Sequence, residues 1–226
     1  MRILIPAKSS SDWQDLLSDP VRHWKQGFSA KSLADHWQIE DGFPADVRQI
    51  FHSSAVEYLT DAEMLFGVPE YETELPGGGN ASQTDLFVLA KCSGGLITMS
   101  VEGKVSESFD KITSEWFHQN EYVTNRRNRL TGLCELLGLE IDQVMDLRYQ
   151  LLHRTASALI EAERFSADTA VMLVNSFSSS HESFDDYEAF GRAMGVSVES
   201  GALTDAGMHG GRRLFLGWLT SPIKEG

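Results

Sequence analysis

The chain has 226 residues, 42% of them hydrophobic, and a formal net charge of −14 at pH 7. That length suits one large α/β domain or one domain with an appendage, and the negative balance argues against a bulk electrostatic grip on nucleic acid, which needs lysine and arginine to displace counterions. Two cysteines, Cys92 and Cys134, fit reduced thiols better than a disulfide framework, and no long apolar segment marks a membrane span or signal peptide, so a cytoplasmic protein with no membrane partner is expected.

Arg2 to Ile5 reads as a short strand closed by Pro6. Ser9 to Asp12 opens a helix with Trp13, Leu16 and Leu17 at helical spacing, broken at Asp19-Pro20. Trp24, Phe28, Leu33, Ala34 and Trp37 mark a second helical region, with Ser29 as its N-cap. Three tryptophans this early predict a cap packed on the main body, with base stacking as the rarer alternative. The periodicity predicts an amphipathic helix over 45–67, begun after Pro44, interrupted near Thr60-Asp61 and ended at Gly67; Glu57 and Glu63 lie on it. Tyr71 to Leu75 alternates as a strand. Pro76 to Asn80 is a loop whose three glycines lack the lysine and following helix of a nucleotide-binding loop, so a mobile loop beside a site is expected.

Thr84 to Lys104 is the most informative stretch. Leu86–Ala90 and Leu96–Val101 are apolar runs joined through Ser93-Gly94-Gly95, a hairpin signal. Asp85 opens the first strand and Glu102 closes the second, so an antiparallel pairing makes them neighbours, and Lys104 points to the same side as Glu102. Two carboxylates can hold a hard divalent cation such as Mg²⁺. Gly103 leaves room for its carbonyl to approach the ion, and a lysine beside it can orient a bound water or neutralise developing charge. The bland reading is a pair of solvated charges at a strand end.

Beyond the hairpin, Glu107 and Asp110 are close in sequence to this site. Residues 111–118 suggest a short helix. Asn125 to Arg129 is the one basic cluster, leading into a leucine-rich helix stopped by Gly138. Its Arg126, Arg127 and Arg129 can face phosphate or simply balance an acidic chain. Residues 141–165 read as one long amphipathic helix with Leu147, Leu151 and Leu159 on its apolar face and Gln150, Arg154, Ser157 and Glu161 as a polar stripe. Ala170–Val174 reads as a buried strand. A helix carrying Phe184, Tyr187 and Phe190 follows, and Arg213–Leu219 is a final strand at the sheet edge.

The Asp85, Glu102-x-Lys104 pattern, with the flanking LPGGGNASQTD and LRYQLLHRTASALIEAERF, resembles a bacterial family placed in the PD-(D/E)xK, or restriction-endonuclease-like, nuclease superfamily. Thr84 stands where the signature has proline. The resemblance implies an α/β fold: an αβββαβ core over residues 45–226, with a mixed central sheet flanked by helices and residues 1–44 as an N-terminal helical decoration. It implies Mg²⁺ or Mn²⁺ on Asp85, Glu102 and Gly103, with Lys104 placing the attacking water. Gln150 or Arg154, with Tyr149 and His153 as further candidates, would steady the phosphodiester. The expected function is a metal-dependent phosphodiester hydrolase that meets nucleic acid through Arg126, Arg127 and Arg129. The alternative is a catalytically silent nuclease-fold protein serving as a protein-interaction module, which the net charge favours. No Gly-x-Ser-x-Gly elbow supports a Ser/His hydrolase.

Overall fold

The computed structural model describes residues 7, 9–38, 41–118 and 123–223; the strand expected at Arg2–Ile5 lies outside them. A 3-10 turn at Ser10–Leu16 leads into α1 (Pro20–His23), α2 (Ser29–Trp37) and α3 (Ala45–His52). Asp19-Pro20 starts a helix as well as breaking one: the Arg22 amide donates to Asp19 at 3.0 Å, and Pro20 fills the first helical position. The cap of α2 is Phe28, one residue before the Ser29 that its type favours.

Among the described residues, six strands build one mixed sheet: β1 (Glu63–Thr73), β2 (Ser82–Cys92), β3 (Gly95–Lys104), β4 (Thr169–Ser176), β5 (Ala202–His209) and β6 (Arg212–Thr220). Their order is β1-β2-β3-β4-β6-β5. The first three form an antiparallel meander, β4 runs parallel to both β3 and β6, and β5 is antiparallel to β6. Between β3 and β4 come α4 (Thr113–His118), α5 (Val123–Leu137), α6 (Ile141–Val144) and α7 (Tyr149–Arg164); α8 (Phe184–Ala193) follows β4.

Helices cover both faces of the sheet. Alternation along β3 shows the division: Ile97, Met99 and Val101 join Leu33, Trp37 and Phe51 on one side, while Thr98 hydrogen-bonds the Ala158 carbonyl of α7 on the other, at 2.8 Å. Leu151, Leu159, Met172 and Trp218 belong to that second layer. β4, flanked by two strands and roofed on both faces, is buried along its whole length, as its continuous apolar run requires. Trp13, Leu33 and Trp37 share a core with Leu86 and Val88, so residues before position 44 contribute to the face of the sheet.

Four expectations change. The helix over 45–67 ends at His52, and residues 63–67 belong to β1, because pairing with Val88–Lys91 outweighs their helical spacing. The strand therefore begins at Glu63, not Tyr71, and ends at Thr73; its Pro69 is tolerated because β1 is an edge strand. The helix over 141–165 is two helices. The Thr113 and Ser114 amides donate to the carbonyls of Leu147 and Met145, and an isolated bridge pairs Ile112 with Arg148, so the backbone leaves the helix between α6 and α7. Finally, β6 lies inside the sheet, because β5 closes that edge. β5 is poor in β-branched residues and carries a bulge between Asp205 and Gly207. Its signal is Gly210-Gly211, a two-residue turn with φ of +55° and +79°.

Candidate functional site

The β2–β3 register ends with Leu86 opposite Val101, so one step further Asp85 stands beside Glu102. The β1–β2 ladder runs from Pro69–Leu86 to Tyr71–Thr84 and skips the residues between, Glu70 and Asp85. Glu70 takes a left-handed backbone, φ +52°, which an L side chain adopts at a cost of about 1–2 kcal/mol. Three carboxylates thus gather where the meander opens.

α7 supplies the rest. Gln150, His153 and Arg154 share its face towards β2 and β3. Arg154 Nε donates to Glu102 Oε2 at 2.6 Å, its Nη1 donates to Ser82 Oγ at 2.9 Å, and its Nη2 is 3.8 Å from Asp85 Oδ1. Lys104 Nζ donates to Glu102 Oε1 at 2.9 Å and to Gln150 Oε1 at 3.1 Å, and Gln150 Nε2 donates back to Glu102 Oε1 at 2.7 Å. The Lys104 ammonium also lies 5.0 Å from the centre of the Phe109 ring. The Gly103 amide donates to Asp85 Oδ2 at 2.9 Å. The contact that Gly103 makes here is therefore through its N–H, whereas the sequence pointed to its carbonyl.

Charge separates the carboxylates into two kinds. Burial would raise the Glu102 carboxyl, but Lys104, Arg154 and their hydrogen bonds overcome it and hold it down at about 2. Asp85 is pushed up to about 7 by burial and then by the charge of Glu102, against the pull of Arg154 and Lys104. Glu70 is pushed up to about 9 by burial and the charge of Asp85. Glu102 is thus a neutralised anchor, while Glu70 and Asp85, with Arg154 at 3.8 Å from Asp85, form a less compensated pair that retains a proton at neutral pH.

That pair lines a cleft of about 390 Å³, with Arg22, His23, Phe28 and Glu107 around it. Glu102 and Lys104 are buried behind it, 2% and 4% exposed. Among the described residues, no three His, Cys, Asp or Glu side chains form a ready metal cage.

The structure thus brings Asp85, Glu102, Gly103, Lys104, Gln150 and Arg154 together. The other candidate carboxylates lie elsewhere: Glu63 pairs with Lys91 at the far end of the hairpin at 3.0 Å, and Glu57 is exposed. Glu107 reaches the cleft rim, where it accepts from the Val105 amide at 3.0 Å. Glu70 was not identified from sequence; its one signal is its place after Pro69 in an alternating strand.

A second cleft, of about 420 Å³, opens on the other side of Ser82. Arg126, Arg129, Trp116, Tyr149 and His153 line it, together with Gly78 and Gly79. The basic cluster therefore divides: Arg126 and Arg129 reach this cleft, while Arg127 is exposed. Arg129 hydrogen-bonds the Gly78 carbonyl and Arg126 the Trp116 carbonyl. The Gly77–Gly79 loop, expected to be mobile, packs onto α5: a Cβ at Gly77 would lie 2.4 Å from the Arg129 amide nitrogen. Ser82 Oγ and His153 Nδ1 are 2.8 Å apart. The described residues give this pair no carboxylate to orient the imidazole, so it lacks the third member of a hydrolase triad.

Among the described residues, no helix is long and apolar enough to cross a membrane. No curated protein and no solved structure matches the chain. Residues 6–223, nearly its full length, match the family model described as "Domain of unknown function (DUF6946)", and the chain belongs to that family.

Proposed function

We propose that the protein is a metal-dependent phosphodiester hydrolase of the restriction-endonuclease-like PD-(D/E)xK type, acting on nucleic acid. The reading is supported by the succession α3-β1-β2-β3-α7-β4, which has the αβββαβ order, and by Asp85, Glu102 and Lys104 meeting at one end of the sheet. The observation that carries it is the Glu70–Asp85 carboxylate pair lining an open cleft in front of Glu102 and Lys104. Mg²⁺ takes one or two carboxylates and fills its remaining positions with water and substrate phosphate. Glu70 and Asp85 fit that demand better than Glu102, whose two oxygens are both engaged by protein donors. Mg²⁺ or Mn²⁺ bound there would supply Lewis-acid polarisation of a phosphoryl oxygen and an acidified water. The chain's own part is positional. Gly103 fixes one oxygen of Asp85, Arg154 and Lys104 keep Glu102 ionised, and Gln150 holds the Lys104 ammonium in place.

One observation favours the second reading, a silent nuclease fold used as an interaction module: Glu102 and Lys104 are sealed in contacts with protein. A divalent-metal titration separates the two. For the hydrolase, saturating Mg²⁺ or Mn²⁺ raises the melting temperature by about 5 °C, and Asp85→Asn and Glu70→Gln each abolish the rise. Lys104→Ala keeps that rise and lowers cleavage of a labelled oligonucleotide by about 100-fold or more. A melting curve that metal leaves unmoved, with no cleavage, selects the interaction module.

A further inference from the structure

The second cleft, which holds two arginines of the basic cluster, has a donor pattern that the metal-site reading does not use. Arg154 donates to Ser82 Oγ, which also lies within hydrogen-bond distance, 2.8 Å, of His153 Nδ1. Burial, and then the Arg154 charge, hold His153 well below the usual imidazole range, so the ring is neutral, with one nitrogen a donor and the other an acceptor. With Nδ1 engaged by Ser82, Nε2 is the ring nitrogen left for a cleft ligand, and it donates in the tautomer in which Ser82 gives its proton to Nδ1. Arg126 and Arg129 add guanidinium donors, and the Asn80 and Asn125 amides stand at the lining. Among the described residues, no aspartate or glutamate lines this cleft, although the chain carries a net charge of −14.

A wall of donors with two fixed cations calls for an acceptor-rich anion, and guanidinium forks match phosphate oxygens. The cations stand beside a planar platform. Trp116 stacks on Tyr149 with ring centres 3.8 Å apart and planes 8° from parallel, and the Arg126 guanidinium lies 5.4 Å from the Trp116 ring centre. Indole rings and guanidinium planes both accept stacked bases. The volume is within the range of small-molecule sites.

We propose that this cleft is a nucleotide site, with Arg126, Arg129 and His153 taking a phosphate group while the Trp116–Arg126 platform takes the ring that carries it. The ligand is a free mononucleotide or the terminal nucleotide of a strand. The site does not depend on metal in the acidic cleft, so binding is measured in EDTA.

Calorimetric titration with adenosine 5′-monophosphate gives saturable binding. A 5′-phosphorylated trinucleotide binding about tenfold tighter than the mononucleotide identifies a strand end as the ligand, and equal or weaker binding identifies the free nucleotide. Arg129→Gln weakens the mononucleotide by about tenfold or more, and Arg127→Gln, outside the cleft, leaves it unchanged. Adenosine without phosphate binds at least about tenfold more weakly, and inorganic phosphate competes but binds more weakly than the mononucleotide. Because Arg129 also clasps Gly78, each variant is checked by its melting curve; His153→Phe removes both ring nitrogens from the cleft without touching that clasp and weakens binding in its place. The proposal is overturned if no saturable binding occurs up to about 10 mM, if Arg127→Gln weakens binding as much as Arg129→Gln, or if inorganic phosphate binds as tightly as the mononucleotide.

Discussion

Glu70 combines two unfavourable features in one residue: a left-handed backbone and a carboxyl pushed up by burial and by Asp85. Its folded-state proton affinity exceeds the unfolded one, so the folded protein holds that proton through the window from the ordinary carboxylate range up to about 9. Stability at this site is therefore full below that window and falls as pH rises through it. Asparagine accepts the left-handed region and carries no charge. Glu70→Asn is expected to stabilise the protein by about 2 kcal/mol at pH 8, and by less at pH 4, where only the backbone gain remains. Denaturant melts at the two pH values measure the difference; an equal gain at both would deny the electrostatic share. Metal binding carries the opposite signature, because a cation displaces the same proton: the metal-induced rise in melting temperature grows between pH 6 and pH 9. Glu102 behaves in the contrary sense. Its carboxyl is held down, so its ion pairs contribute above the unfolded carboxylate range and are lost only as pH falls towards about 2.

At the scale of elements, the loop between β1 and β2 shows why glycine cannot be replaced at a close approach. Gly77 has φ +82°, and its absent Cβ would collide with the α5 backbone at Arg129. Gly77→Ala is expected to cost about 2 kcal/mol or more and to weaken nucleotide binding through displacement of Arg129; a melting curve and the calorimetric titration check both. Gly78, with nothing within 4 Å of a built Cβ, is the internal comparison, and alanine there meets only backbone strain. The same loop marks the limit of what was legible in the sequence. Its glycines announced a loop, but the helix it packs against lies some fifty residues later and left no local trace. The β2–β3 hairpin was legible because its apolar runs, turn and terminal charges are all local. The polar stripe of α7 was legible for the same reason, and the structure sets Gln150 and Arg154 against Glu102. Glu70 was not, because its importance comes from pairing with β2. Residues 145–148 were not, because tertiary hydrogen bonds from Thr113 and Ser114 interrupt a helix whose own periodicity continues.

At the scale of the molecule, the N-terminal helices are tied to the end of the sheet by a buried polar chain. Trp37 Nε1 donates to Asn175 Oδ1 at 2.9 Å, Asn175 Nδ2 donates to Ser221 Oγ at 2.8 Å, and Ser221 donates to Asp46 Oδ2 at 2.6 Å, while His36 meets Asp46 Oδ1 at 2.9 Å. Removing the indole opens a cavity and leaves Asn175 without that partner. Trp37→Ala is therefore expected to cost about 3–5 kcal/mol, and a chain beginning at residue 45 is expected to lose cooperative melting, because Leu86, Val88 and Met99 would be uncovered. Calorimetry on the truncated protein checks this; a sharp transition at the full-length temperature would make residues 1–44 dispensable.

The two outer strands share a property with a consequence for how the molecule meets its own copies. β1 carries a register shift between Met64 and Phe66, then Pro69 and the left-handed Glu70; β5 carries its shift between Asp205 and Gly207. An incoming strand needs a straight, regular row of backbone donors and acceptors, and neither border offers one. The irregularity that opens the carboxylate site on one side thus also ends sheet growth there, and the bulge in β5 does the same on the other side. Among the described residues, the open six-stranded sheet is thus guarded against edge-to-edge aggregation at both of its margins.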